Sequence, residues 1–369
     1  MQVFFSSTAQ AVDSSSYIAV LGTGGTIAGR ASSGADHVGY NAGEVSVADL
    51  IGNLAGTVQT SAGTGVRVQC EQVAQLDSKD ADWAFLWRVA GATTKALAQA
   101  DCQAVVITHG TDTLEETAWF LACVLGQQVA NKPVVLTCAM RPASALVPDG
   151  PQNLVDALTL AAYPGACGVQ VCVAGASWSA HSVQKVHPYR LSAFDGADVG
   201  PVAYIEAGMV RPVTAQLASP HVYCYSAAQA CLVNVAAGQP APAQPWVELL
   251  VHTSAASEQL VGALRQAGVA GFVVLATGNG TLNAHWLQSL LACTQAGVPV
   301  WCATRCQAGQ LVASALPSAT CTTQEKARLT PATLLTHAGL PYVPGLSAVK
   351  ARISLMLYLL TPRQQTRAG

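Results

Sequence analysis

Two short stretches of this chain carry hydroxyl side chains just where strand-like runs end. The first, Val20-Leu21-Gly22-Thr23-Gly24-Gly25-Thr26-Ile27-Ala28-Gly29, overlaps and follows the apolar run Tyr17–Leu21. A glycine-dense turn after a first strand suits a phosphate or dinucleotide cradle, which needs G-x-G-x-x-G or a closing Lys-Ser/Thr. Gly22 and Gly24 supply two glycines, but Ile27 fills the sixth position and no Lys-Ser/Thr follows. What remains is the Thr26 hydroxyl at the carboxyl end of a strand, where open α/β sheets bind ligands. A free hydroxyl is a weak nucleophile, so its base must come from elsewhere in the chain.

The second stretch, Ile107-Thr108-His109-Gly110-Thr111-Asp112-Thr113-Leu114-Glu115-Glu116-Thr117, also leaves a strand-like run and opens a helix. Thr113 with Glu116 three residues later fits a capping box. That places Thr111 and Asp112 just ahead of the cap, at the positive end of the helix. Backbone N–H groups there can hold an anion or a developing oxyanion. A second hydroxyl and a carboxylate at a second strand end make a convergent polar cluster.

The elements that must position these residues follow from the apolar pattern. Continuous apolar runs predict strands at 17–21, 104–108, 133–137 and 169–174, then at 246–252, 272–276 and 298–303. Runs of this kind, apolar rather than alternating, belong to parallel sheets covered on both faces. Helical stretches at 83–98, 114–125, 152–162, 257–267 and 282–296 alternate with them. The pattern predicts an α/β protein of two domains, each a doubly wound, mostly parallel sheet with flanking helices. The Ala/Pro/Gly/Gln string 236–245 reads as a semi-rigid linker. It separates a larger N-terminal catalytic domain at 17–235 from a smaller one at 246–369, and 1–16 reads as a disordered leader.

Composition narrows the function classes. Hydrophobic residues make up 51% of 369 and charged residues only 10%, with a net charge of -2. Such a chain has ample apolar surface for a core but little charge to cover its exterior, which favours burial between subunits. No basic cluster marks a nucleic-acid surface. No run approaches the ~18 apolar residues of a membrane span. The first sixteen residues lack a basic n-region and apolar h-region. Twelve cysteines are scattered singly. The nearest pair, Cys302 and Cys306, has no second pair or histidines to complete a zinc site, so no metal or cofactor is expected. Reduced, buried thiols fit the cytoplasm, and a periplasmic location would require a signal peptide since removed.

The two threonine stretches together resemble the bacterial-type L-asparaginase and glutaminase-asparaginase amidohydrolases. The resemblance extends through Lys132-Pro133-Val134-Val135, Ala139-Met140-Arg141-Pro142 and Asp149-Gly150-Pro151-Gln152-Asn153-Leu154. It continues at Gly200–Ile205 and, more weakly, at Gly278-Asn279-Gly280-Thr281. It implies that Thr26 is the primary nucleophile and that Tyr40 closes over the site and helps activate it. The Gly/Ser/Ala-rich stretch between them would be a mobile lid. Thr111 corresponds to a second catalytic threonine and Lys185 to the lysine paired with it. On its own, Lys185 would read as a solvated surface charge.

By the same resemblance Asp112 binds the substrate's α-ammonium and Ser78, beside Asp77, its α-carboxylate. The backbone of Ala139 contacts the amide, and Asn279 reaches a neighbouring subunit's site in a homotetramer. The sequence departs from the family at Lys79, where a neutral side chain is usual, and at Gly22, where many members carry alanine. Residues 302–306 and 311–323 follow the family poorly, and Arg141 suits a loop-holding role through charge-assisted hydrogen bonds. The resulting expectation is hydrolysis of the side-chain amide of L-asparagine to L-aspartate and ammonia. The alternatives are a broader glutaminase-asparaginase and a non-catalytic amino-acid-binding protein.

Overall fold

A computed structural model describes residues 16–52, 67–213, 225–312, 336–337, 340–341, 343 and 345–361. Of the leader, 1–15 lie outside the described residues, as do 313–323 of the divergent C-terminal stretch. By its internal contacts the chain divides into two compact units, residues 1–222 with 232–241 and residues 223–231 with 242–369.

The larger unit is built on an eight-stranded sheet. Its chain order begins with β1 (Tyr17–Gly24), the short pair β2 (Arg30–Ala31) and β3 (Tyr40–Asn41), helix α1 (Val47–Gly52) and β4 (Arg67–Leu76). Helix α2 (Trp83–Leu97), β5 (Cys102–Thr108), α3 (Leu114–Leu125), β6 (Val134–Thr137), α4 (Gly150–Ala161) and β7 (Val169–Val173) follow. Then come β8 (Ala176–Ser179), the pair β9 (Gln184–Lys185) and β10 (Phe194–Asp195), and the hairpin β11 (Ala203–Glu206) and β12 (Met209–Pro212).

The sheet order is β12-β11-β8-β7-β6-β5-β1-β4. From β4 to β7 every pairing is parallel, and β8, β11 and β12 extend the sheet with antiparallel pairings. The parallel strands are apolar because both faces are covered. Ile18, Val20, Ala104, Val106 and Val135 join Val47 of α1 and Leu154 and Leu158 of α4 in one cluster. The alternate side chains Leu21, Val105 and Ile107 are just as deeply buried. Trp83 and Trp87 of α2 meet Phe120 of α3 edge-on, with ring centroids 5.7 and 5.1 Å apart.

Gly22 has a physical reason here. A Cβ at that position would come within 2.6 Å of the Val47 Cβ, so α1 packs directly against a bare backbone. The capping box expected at α3 does not form. Thr113 is the N-cap residue but makes no side-chain cap bond; its Oγ1 donates instead to the Ser78 carbonyl at 2.8 Å. A tertiary bond takes the place of a local one: the Ser78 carbonyl, which also accepts the Ala81 N–H at 3.1 Å, lies within reach of that hydroxyl.

After α5 (Ser226–Ala236), the smaller unit holds β13 (Val247–Val251), α6 (Gln259–Gln266), β14 (Gly271–Ala276), α7 (Ala284–Gln295) and β15 (Val300–Thr304). These three strands form a parallel sheet in the order β13-β14-β15, and Thr336–His337 pairs antiparallel with Leu340–Pro341. Phe272, Val274, Val300 and Cys302 pack with Val261 of α6 and Trp286 and Leu290 of α7. A last helix, Ala348–Leu359, packs against the same strands through Leu355, beneath Gly271, and Tyr358, beside Trp301.

Candidate active site

The residues singled out in the larger unit converge at the carboxyl ends of its parallel strands. Thr26 follows β1, Ser78 follows β4, Thr111 follows β5 and Ala139 follows β6. Glycines allow the turns to close on one another. Gly24 and Gly25 have φ of 98° and 79°, conformations that suit glycine. A Cβ on Gly25 would lie 2.4 Å from the Gly110 Cα, and one on Gly110 would lie 2.5 Å from the Ser78 Oγ. Thr23 ties the same strand ends together, donating from Oγ1 to the Thr108 carbonyl at 2.8 Å. The glycines therefore make room for backbone-to-backbone packing around two hydroxyls.

Thr26 begins a single 3-10 turn, Thr26–Ala28, and is buried. Its Oγ1 shares a 2.6 Å hydrogen bond with the Tyr40 hydroxyl. Tyr40 lies on the excursion between β1 and α1, which loops back through the β2–β3 pair. Several bonds tether that excursion from outside, among them one from Gln75 Nε2 to the Gly43 carbonyl at 3.0 Å. The Ala31 N–H donates to Ser144 Oγ at 2.8 Å, the Leu146 N–H to the Gly34 carbonyl at 3.0 Å, and Tyr189 meets His37 at 3.4 Å. Burial raises the Tyr40 pKa above its ordinary value, opposed by the Thr26 hydrogen bond and the Lys79 charge and reinforced by Asp77 and Asp112. The phenol is therefore held in its neutral form at physiological pH.

The second hydroxyl is partnered differently. Lys185, on β9, donates from Nζ to Thr111 Oγ1 at 2.8 Å and to Asp112 Oδ1 at 2.6 Å. Its side chain is mostly buried, at 16% exposed, whereas that of Asp112 is 55% exposed. The Lys185 N–H donates to Glu115 Oε1 at 3.2 Å, so the first turn of α3 holds the β9 backbone in place. Ser78 accepts the Asp112 N–H at 3.2 Å through its Oγ, joining the turns after β4 and β5. Asp77 is drawn aside: Lys79 Nζ donates to its Oδ2 at 2.6 Å and lies 3.3 Å from Asp80 Oδ2.

Ala139 is presented by a scaffold of its own. Asp149 accepts the Met140 and Arg141 N–H groups, each at 2.9 Å, and the Asn153 Nδ2 at 3.2 Å. Asn153 also donates to the Cys138 carbonyl at 2.9 Å and accepts the Ala174 N–H at 2.9 Å. Arg141 Nη1 donates to the Val147 carbonyl at 3.0 Å and so holds the loop that follows it. His109 is wholly buried between the Gly110 carbonyl at 2.7 Å and Thr117 Oγ1 at 3.0 Å. Burial lowers its pKa to about 4, so it stays neutral.

Thr26, Tyr40, Ser78, Asp112, Thr111 and Lys185 are thus linked by hydrogen bonds in two groups, with Asp77 and Ala139 alongside in neighbouring turns. Asn279 stands apart, in the smaller unit. Its amide makes a two-way bond with the Val312 backbone, at 2.9 and 2.8 Å. Sequence reasoning overlooked Glu115 as a support for Lys185, and Asp149 with Asn153 as supports for Ala139. The signal for the latter pair was the Asp-Gly-Pro-x-Asn spacing, which sets both side chains on the first turn of α4 facing the preceding loop.

Chemically, the arrangement offers one hydroxyl bonded to a phenol and another bonded to a lysine amine. Comparison with known proteins bears on what it serves. Residues 17–217 match the model of the asparaginase N-terminal domain, and residues 246–368 that of the glutaminase/asparaginase C-terminal domain. The glutaminase-asparaginase of Pseudomonas fluorescens biotype A is 29% identical over 80% of this chain and 77% of its own. L-asparaginase 2 of Bacillus subtilis (strain 168) is 30% identical over 78% of this chain and 72% of its own. The crystal structure of a probable cytoplasmic L-asparaginase from Campylobacter jejuni superposes with a TM-score of 0.75 at 31% identity. It covers 94% of this chain and 96% of that one. With both domain models matched in order and the strand-end threonines in place, this chain belongs to the asparaginase family of amidohydrolases.

Proposed function

We propose that this protein hydrolyses the side-chain amide of L-asparagine to L-aspartate and ammonia, with Thr26 as nucleophile. The observation that carries the reading is the pair of buried threonine hydroxyls on adjacent strand ends, each hydrogen-bonded to its own partner. Thr26 Oγ1 attacks the carboxamide carbon while its proton passes to the Tyr40 hydroxyl, which releases its own towards the leaving nitrogen. Backbone N–H groups at Thr111 and Ala139 receive the oxyanion. After ammonia departs, Thr111, oriented by Lys185, directs water onto the ester carbon. The α-carboxylate rests against Ser78 and the α-ammonium against Asp112, whose Oδ1 also accepts from Lys185.

The relative that acts on both amides supports a second reading, in which glutamine is also a substrate. On this reading the catalytic domain runs from 17 to 235 and 236–245 links it to 246–369, a division supported by the two matched domain models. The assembly is a homotetramer in which Asn279, held by Val312, faces a neighbour's site. Leu146 and Val147, exposed on the loop beside the lid, favour such an arrangement because they leave apolar surface to be covered. The cytoplasm is the proposed location, consistent with the description of the Campylobacter jejuni neighbour.

Ammonia release from asparagine and from glutamine tests the reading. We expect turnover by the wild type and a loss of about 10³-fold or more in Thr26→Ala and in Thr111→Val. Asparagine binding without turnover in the wild type would make this a binding protein, and full activity in Thr26→Ala would remove the nucleophile.

A further inference from the structure

The peptide that joins Gly110 to Thr111 lies against the turn carrying Thr26. A Cβ on Gly25, the residue before Thr26, would sit 2.4 Å from both the Gly110 nitrogen and its Cα. A peptide that follows glycine rotates readily, because no Cβ on its N-terminal side restricts it. Here its carbonyl is held. His109 Nδ1 lies 2.7 Å from the Gly110 oxygen, and a carbonyl can only accept, so Nδ1 carries the proton. Burial keeps the ring neutral. The neutral ring presents a lone pair at Nε2, which accepts from Thr117 Oγ1 at 3.0 Å. Packing anchors the residue as well: the ring is wholly buried, with the Phe85 ring centroid 5.6 Å away. The His109 N–H donates to the Thr137 carbonyl at 2.9 Å, tying its backbone to β6.

In a planar trans peptide the carbonyl and the next N–H point in opposite directions. Fixing the Gly110 oxygen therefore fixes the Thr111 N–H on the face away from His109. The peptide ahead of Ala139 is held in the same manner, its Cys138 carbonyl accepting from Asn153 Nδ2 at 2.9 Å. We infer that His109 is a positioning residue for amide hydrolysis, its Nδ1–H clamping the Gly110 carbonyl so that the Thr111 N–H stays aimed at the developing oxyanion. The inference rests on the reading above, in which that N–H receives the oxyanion, and adds the group that preorganises it. His109 acts through this one peptide and touches no substrate. An oxyanion donor acts most strongly once charge has formed, so loss of the clamp lowers kcat and leaves KM little changed.

The test measures kcat and KM for L-asparagine by ammonia release in the wild type, His109→Leu, His109→Gln and His109→Asn, with thermal unfolding of each. The amide nitrogen of Asn takes the place of Nδ1, whereas that of Gln takes the place of Nε2. His109→Leu and His109→Gln each lose about tenfold in kcat, a fraction of the cost of deleting an oxyanion donor, with KM within about twofold of wild type. His109→Asn loses only about threefold, because a donor to the Gly110 carbonyl remains. A role confined to packing ranks the variants the other way, since Asn leaves the largest hole beside Phe85 and the lowest unfolding temperature. Equal kcat losses in His109→Asn and His109→Leu, or a loss carried in KM, overturn the assignment. Nitrogen NMR of the histidine rings is independent of turnover. The His109 signal, assigned by its loss in His109→Gln, places the proton on Nδ1, and a proton on Nε2 defeats the clamp. A wild type that releases no ammonia defeats the hydrolase reading and this inference with it. A wild type that turns over, matched by His109→Leu, defeats the inference alone.

Discussion

Thr26 and Thr111 close neighbouring strands of one sheet, yet their hydroxyls are supported in opposite ways. The partner of Thr26 is a neutral phenol on an excursion held by the two-residue pairing of β2 with β3 and a few bonds to surrounding loops. The partner of Thr111 is an ammonium fixed by Asp112 on its side chain and by Glu115 on its backbone. One partner comes from a long excursion beyond its threonine's turn; the other is bonded through both its side chain and its backbone to the start of the helix after β5. The difference suits a two-step hydrolysis. On the proposed mechanism, the partner carried by the excursion serves the first attack and the partner bonded to Asp112 and Glu115 orients the water-directing threonine.

Loss of the built-in partner has the larger expected effect. Lys185→Met leaves the Asp112 carboxylate without its cation and removes the donor to Thr111, so kcat falls about 10³-fold. Circular dichroism that stays native would place that loss in chemistry rather than folding. Tyr40→Phe removes only the relay and costs about 10²-fold in kcat. If the two variants lose activity equally, the asymmetry between the hydroxyls is broken. A burst of ammonia in Lys185→Met, absent from Tyr40→Phe, sharpens it by assigning each partner to its own step.

Asp156 provides a control outside both groups. It is buried on α4 at 3% exposed with Gln152 at 2.8 Å, and burial raises its pKa from 3.8 to about 6. The folded chain therefore holds a proton there that the unfolded chain has released between those two values. The corresponding stability is fully present below pH ~4 and is lost as pH rises through about 6. Asp156→Asn is expected to gain about 2–3 kcal/mol above pH 6. Denaturant titrations across pH 4–8 check the sign, and the ratio of the Lys185→Met and Tyr40→Phe losses remains the same in that background.

Much of this architecture is legible as apolar pattern, and the exceptions have physical causes. β5, β6 and β7 read directly because both their faces are covered. β4 does not, since Arg67-Val68-Gln69-Cys70-Glu71-Gln72 lies on the sheet edge with mostly exposed side chains. β8, β11 and β12 are four residues each, with tight turns joining β7 to β8 and β11 to β12, too short for any periodicity to register. Within the candidate site, Thr26 and Thr111 stand out because each directly follows a strand. Ser78, Asp77 and Lys185 come from distant segments and are noticed only through resemblance to a family. The Thr113 bond to Ser78 and the Glu115 bond to Lys185 are tertiary, and helix-start patterns point elsewhere.

The contact of Gly25 with Gly110 has a bearing on how such a chain can change. Where two turns meet backbone to backbone, no side chain is available there for mutation to enlarge, shrink or recharge. The spacing of the two hydroxyls is thus withheld from ordinary sequence drift, while the exposed positions of 30–40 and 79–80 stay open to it. A mutational library aimed at new amides would spend its diversity on 30–40 and 79–80 and leave the glycines untouched. The two strand ends are thus set at a distance that only their backbones decide.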